Sequence, residues 1–120
     1  MQKAPEIWFE KLRDIWLKKD SEGIVSLMAL DFAYFEDPFE SPITDKEELI
    51  EVWQEVKQQD IELLDIQNLV SNDTEGSARY HFIAEINGEH HESKGVYYVK
   101  LNTDGEAMEF RQWWNVNDEN

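Results

Sequence analysis

The stretch FEDPFESP, Phe35 to Pro42, sets two adjacent carboxylates, Glu36 and Asp37, against a proline and between aromatic side chains. A carboxylate held among apolar neighbours can trade a proton near neutral pH, because burial disfavours its charged form. Pro38 restricts the residue before it to extended backbone, which aims Asp37 more firmly than a loop would. Alternation groups Asp37 with Phe35 and Ala33, and Glu36 with Tyr34 and Phe32, so one acid of the pair faces inward. Asp37 could also close a turn by accepting backbone N–H groups, and the residues alone leave both readings open.

Other side chains could complete such a site. Gln112 is the polar member of a face it shares with Met108, Phe110 and Trp114. It could orient a ligand by donating and accepting hydrogen bonds, or satisfy a buried backbone group. Tyr80 and Tyr97 could present hydroxyls to a cavity or serve as core tyrosines. Trp16 and Trp53 on helices, with Phe35, Phe82, Phe110 and Trp114 on strands, would be its walls if they are not plain core. Gly95 leaves a gap or permits strong curvature, and either favours a hollow. His90 and His91 are adjacent and poorly disposed to share one ion, and His81 falls on the outer face, so no metal and no cofactor is expected. No phosphate-binding glycine loop, nucleophile elbow or zinc motif occurs.

The elements that must position these residues read as helices first and long strands afterwards. Phe9, Leu12, Ile15 and Trp16 recur at helical spacing, predicting a helix over Ala4 to Lys19 with Pro5 in its first turn. Asp20 can cap a short second helix burying Ile24, Leu27 and Met28. Phe32 to Asp37 alternates as a short strand stopped by Pro38. TDKE, Thr44 to Glu47, has capping-box spacing and opens a third helix with Leu49, Val52, Trp53 and Val56 inward. The period then switches to two. Strands are expected over Ile61 to Val70, Ser77 to Ile86, Glu92 to Leu101 and Ala107 to Val116, with Asn87-Gly88 as the strongest hairpin cue and Glu89 to His91 lengthening its loop. The expectation is one α+β domain spanning residues 1–120.

Composition narrows the function classes. A chain of 120 residues with 41% hydrophobic residues suits a single core. Lys and Arg number 11 against 27 Asp and Glu, and the net charge of −16 argues against nucleic acid and against an anionic membrane surface as partners. The first residues hold no long apolar run, and there is no cysteine, which fits a cytoplasmic protein.

The element order, together with GIVSLMALDFAYFEDP from Gly23 to Pro38, resembles the NTF2-like superfamily, in particular its SnoaL-like and ketosteroid-isomerase branch. The resemblance implies a cone in which a curved, mostly antiparallel sheet wraps three N-terminal helices around an apolar pocket for a small apolar molecule. It implies a general-base role for Asp37, which stands at the Asp of the isomerases' similar EDP sequence. The oxyanion-binding tyrosine of those isomerases falls at Leu12, and their second donor, a protonated acid, falls near Tyr97. One donor is thus absent and the other changed in type, which argues against a proton-shuttling steroid isomerase. An acid–base enzyme (isomerase, cyclase or dehydratase) and a non-catalytic ligand-binding or dimerisation domain both stay open. A homodimer is expected through the outer sheet face, where Ile83, Val96, Tyr98, Arg111 and Trp113 alternate with Arg79, His81 and Lys100 nearby.

Overall fold

The computed structural model describes residues 2–37 and 39–116. Helix α1, Ala4–Leu17, starts with Pro5 in its first turn and with the Glu6 carboxylate accepting the Lys3 N–H at 3.2 Å. Its apolar face buries Trp8, Phe9 and Leu12. The Asp20 carboxylate accepts the Gly23 N–H at 3.0 Å, leading into α2, Gly23–Ser26.

Strand β1, Met28–Phe35, begins earlier than alternation suggested. The Ala107 N–H donates to the Leu27 carbonyl at 2.8 Å and pairs Met28 with Ala107, so Met28 enters the sheet instead of prolonging α2. Pro38, read as the stop of this strand, lies outside the described residues. Helix α3, Lys46–Trp53, is capped by Asp45, whose carboxylate accepts the Glu48 N–H at 3.0 Å. The cap is one residue beyond the expected Thr44. A 3-10 turn, Gln54–Gln58, then carries Val56 into the core.

Four long strands follow: β2 Gln59–Ser71, β3 Glu75–Ile86, β4 Glu89–Leu101 and β5 Ala107–Val116. Asn87 and Gly88 have φ of 54° and 83°, the pair of positive values that a two-residue type I′ turn requires. Glu89 to His91 therefore extend β4 and do not lengthen the loop. The sheet has five strands in the order β1-β5-β4-β3-β2, with β1 parallel to β5 and the other pairs antiparallel. It is curved and unclosed, and the helices fill its concave side. Ala78, Tyr80, Phe82 and Ala84 on β3, Tyr97, Val99 and Leu101 on β4, and Phe110 on β5 are buried on that side.

Gly95 does not leave a void. A Cβ built there would lie 2.0 Å from the Trp113 carbonyl oxygen and 2.8 Å from the Tyr80 ring. The missing side chain allows β5 and Tyr80 to close on β4.

Candidate functional site

Towards one end of the helix layer the core gives way to a cleft with two chambers. The inner one holds about 100 Å³ and the outer, wider one about 470 Å³. Trp16, Glu36, Glu55, Gln59, Tyr97 and Gln112 line both, so they form one continuous cleft. Trp53 and Phe110 line the inner chamber, and Asp37, Tyr80, Phe82 and Trp114 the outer one. Neither Phe35 nor Gly95 lines either. Phe35 lies on the opposite side of β1, with the Arg111 guanidinium 4.0 Å above its ring.

Hydrogen bonds fix the aromatic walls. Trp16 donates its indole N–H to the side-chain oxygen of buried Gln59 at 2.8 Å, and Trp53 donates to the Tyr34 hydroxyl at 3.1 Å. Trp114 donates to the Glu36 carbonyl at 3.0 Å, which ties β5 to the turn carrying both acids. The Tyr80 hydroxyl is 2.9 Å from that of Ser93. Tyr80 and Tyr97 stack with ring centroids 4.4 Å apart.

Tyr97 is different. It is 1% exposed, and its hydroxyl has no hydrogen-bond partner among the described residues. No side-chain polar atom among these residues is both sealed in protein and unpaired. The hydroxyl therefore opens to the cleft that Tyr97 lines. Burial, with smaller contributions from Tyr80 and Tyr34, pushes its pKa well up, so it stays a neutral donor and acceptor.

The two carboxylates separate by strand parity. Glu36 follows Phe32 and Tyr34, both buried, and lines both chambers. Burial raises its carboxyl above the ordinary value, and repulsion from Glu55, Glu40 and Glu48 raises it further. Asp37 reaches only the outer chamber, where its side chain accepts the Phe39 N–H at 2.9 Å and closes an Asx turn. The Tyr34 hydroxyl is pushed up by burial despite the Trp53 hydrogen bond, and Glu36 and Glu55 push it further.

The arrangement is a polar end set between aromatic walls. Tyr97 can donate to or accept from a ligand oxygen, Gln112 can do both, and Glu36 can take or give a proton. Leu12, at the position the resemblance gave to a tyrosine, is an apolar wall of the inner chamber. Among the described residues no group of three His, Asp or Glu side chains is placed to hold a metal ion. Sequence reasoning did not single out Tyr34, Glu55, Gln59 or Ser93 for the site, and weighed His91 only as a metal ligand. Tyr34 and Glu36 were accessible from the parity that Phe32 sets. Glu55 and Gln59 sit in and just after the 3-10 turn, where neither period applies.

No protein-family model matches the chain, and no curated protein does. Solved structures do. A Δ5-3-ketosteroid isomerase from Mycobacterium sp. superposes with a TM-score of 0.84 at 16% identity, over 98% of this chain and 100% of that one. A Mycobacterium tuberculosis protein in complex with estradiol-17β-hemisuccinate gives 0.82 at 21% identity, over 95% of each chain. A computationally designed 17-OHP binder gives 0.79 at 21% identity, over 99% of this chain and 100% of that one. With the curved five-stranded sheet and its helices, these similarities establish that the chain has the fold of the NTF2-like superfamily.

Proposed function

We propose that the protein binds a small, largely apolar ring compound in this cleft, with the ligand's oxygen on the Tyr97 hydroxyl. The carrying observation is that hydroxyl, buried in a wall of aromatic residues and unpartnered among the described residues. A polar atom in such a place costs free energy unless something bonds it, and an entering ligand would do so. The outer chamber, about 470 Å³, is within the range of small-molecule sites. Of the similar structures, one is a complex with estradiol-17β-hemisuccinate and another a designed 17-OHP binder, which supports a fused-ring ligand class.

A second reading, acid–base turnover of that ligand, is favoured by the raised carboxyl of Glu36 beside the same hydroxyl-bearing wall. The base is Glu36 or its neighbour Asp37. Glu36 lines both chambers, whereas Asp37 lines only the outer one. Self-association through the outer sheet face completes the proposal. Val96 and Trp113 pair directly across β4 and β5 and are 37% and 42% exposed, next to the Phe35–Arg111 stack. Trp113→Glu should then give a monomer in sedimentation, and a dimer that survives it places the contact elsewhere.

The test of the main reading is an amide and indole NMR titration with 1-naphthol and with estradiol, both neutral. Saturable shifts at Trp16, Trp114, Gln112 and Gln59, with Gly88 and Gly105 unmoved, are expected. Tyr97→Phe should weaken naphthol binding several-fold. Absence of saturable shifts with either compound overturns the reading.

A further inference from the structure

Resting on the cleft reading above, we propose that the natural ligand is an organic cation: an amine on an aromatic or fused-ring body that also carries a hydroxyl or carbonyl. Five carboxylates stand around the cleft. Glu36, Asp37 and Glu40 come from the turn after β1, Glu55 from the 3-10 turn and Glu92 from β4. Neither Lys nor Arg lines either chamber. Glu92 is paired with His81 and Lys94, but the other four belong to no ion pair among the described residues, although Asp65, Asp73, Glu62 and Glu109 elsewhere do. In a chain of net charge −16, acids on a surface mean little alone. These acids converge on a hollow, where burial and then repulsion from Glu55, Glu40 and Glu48 raise the Glu36 carboxyl above its ordinary value.

The unpartnered Tyr97 hydroxyl is an independent sign of a ligand, and it lies inside the walls that the acids overlook. The rings of Trp16, Tyr80, Phe82 and Trp114 line the same chamber. Aromatic faces beside carboxylates suit a cation twice over, through the ring quadrupole and through charge. An anionic ligand would be repelled by these carboxylates, and a neutral one would gain nothing from them. The negative field of the whole chain would also draw a cation towards the mouth.

Three probes of one shape isolate the charge: 5-hydroxytryptamine, a cation; 5-hydroxytryptophol, its neutral alcohol; and 5-hydroxyindole-3-acetate, an anion. Calorimetry at low salt should rank them in that order, with the amine at least about tenfold tighter than the alcohol. The ratio should shrink in high salt and fall at least about threefold in Glu55→Gln, whose carboxylate lies on the opposite wall from the Asx turn. Equal affinities for amine and alcohol, or a preference for the anion, overturn the cation claim. If 1-naphthol binds in the cleft while the amine does not, the charge claim falls alone and the cleft reading stands. If neither naphthol, estradiol nor any hydroxyindole binds, both fall.

Discussion

The two ends of the helix–sheet interface are built from the same side chains and serve different ends. At the closed end Trp8 is 2% exposed, donates its indole N–H to the Leu27 carbonyl at 2.9 Å, and packs against Phe9 and Phe110 with ring centroids 5.6 and 5.5 Å away. At the open end Trp16 and Trp114 are held by equally good N–H bonds, yet Trp16 is only half-buried and Trp114 is 50% exposed. The hydrogen bond orients the ring in both places. What differs is whether other side chains cover the faces of that ring. A core and a site are thus distinguished here by what the second face touches, since residue type is common to both.

Truncation should expose that difference most strongly. Trp8→Ala should cost about 3–5 kcal/mol in urea unfolding, because a ring packed on all sides leaves a cavity. Trp114→Ala should cost about 1 kcal/mol or less, yet weaken binding of 1-naphthol in the cleft. Equal costs at the two positions would break the contrast between core and site. Next in size is Gly95→Ala. Its Cβ would fall 2.0 Å from the Trp113 carbonyl oxygen, so β4 and β5 must separate, at about 1–3 kcal/mol. A neutral outcome would mean that β5 does not need this close approach to cover the open end.

Much of this architecture was legible from period and turn chemistry. The helix–helix–strand–helix order, the long strands and the inward faces of β3, β4 and β5 followed from spacings of three to four and then two. The Asn87-Gly88 turn was legible too, but its loop was read too long, because Glu89 to His91 are polar and yet still pair with Ala84 to Ile86. The early start of β1 was not legible. It depends on a parallel pairing with Ala107, almost eighty residues away, and local pattern carries no trace of that. For the site, helical spacing put Trp16 on the buried face of α1 and alternation put Tyr97 and Gln112 facing the helices, and these line both chambers. Alternation also put Phe35 on the side opposite Tyr34, and only the pairing of Asp37 with the resemblance drew it into the expected pocket. Glu55 and Gln59 escaped notice because a 3-10 turn followed by a strand start has no single period.

A smaller effect should separate the acids by pH. The Glu36 carboxyl is raised above its ordinary value of 4.5, so between that value and its folded pKa the native protein keeps a proton that the unfolded chain has lost. Stability therefore falls as pH rises through this window, and Glu36 destabilises the fold above it. Glu36→Gln removes that penalty. Relative to wild type the variant should gain stability near neutral pH and lose the gain below about pH 4, where Glu36 is protonated in both states. The gain should stay under about 1 kcal/mol, since the side chain is more than a third exposed and solvent screens its acidic neighbours. Parallel urea titrations at the two pH values check it. A variant less stable than wild type near neutral pH would show that Glu36 is held by favourable bonds and is not crowded by Glu55, Glu40 and Glu48.

The least change in stability is expected at the adjacent position. Asp37 closes its turn through a side-chain oxygen that accepts the Phe39 N–H, and an Asn side chain offers an oxygen of the same reach. Asp37→Asn should therefore leave unfolding free energy within about 0.5 kcal/mol of wild type. Asp37→Ala loses the acceptor and should fall further. This near-silence makes the Asn variant informative about chemistry. It changes charge at the outer chamber while keeping the turn that positions Glu36 and the carbonyl held by Trp114. If turnover of any cleft ligand is found, its loss in Asp37→Asn but not in Glu36→Gln would assign the base to the mouth. The reverse pattern would assign it to the acid that parity turns towards Tyr34 and Tyr97. Should Asp37→Asn instead unfold the protein, the carboxylate would be holding more than one turn, and the open end would be as tightly built as the closed one.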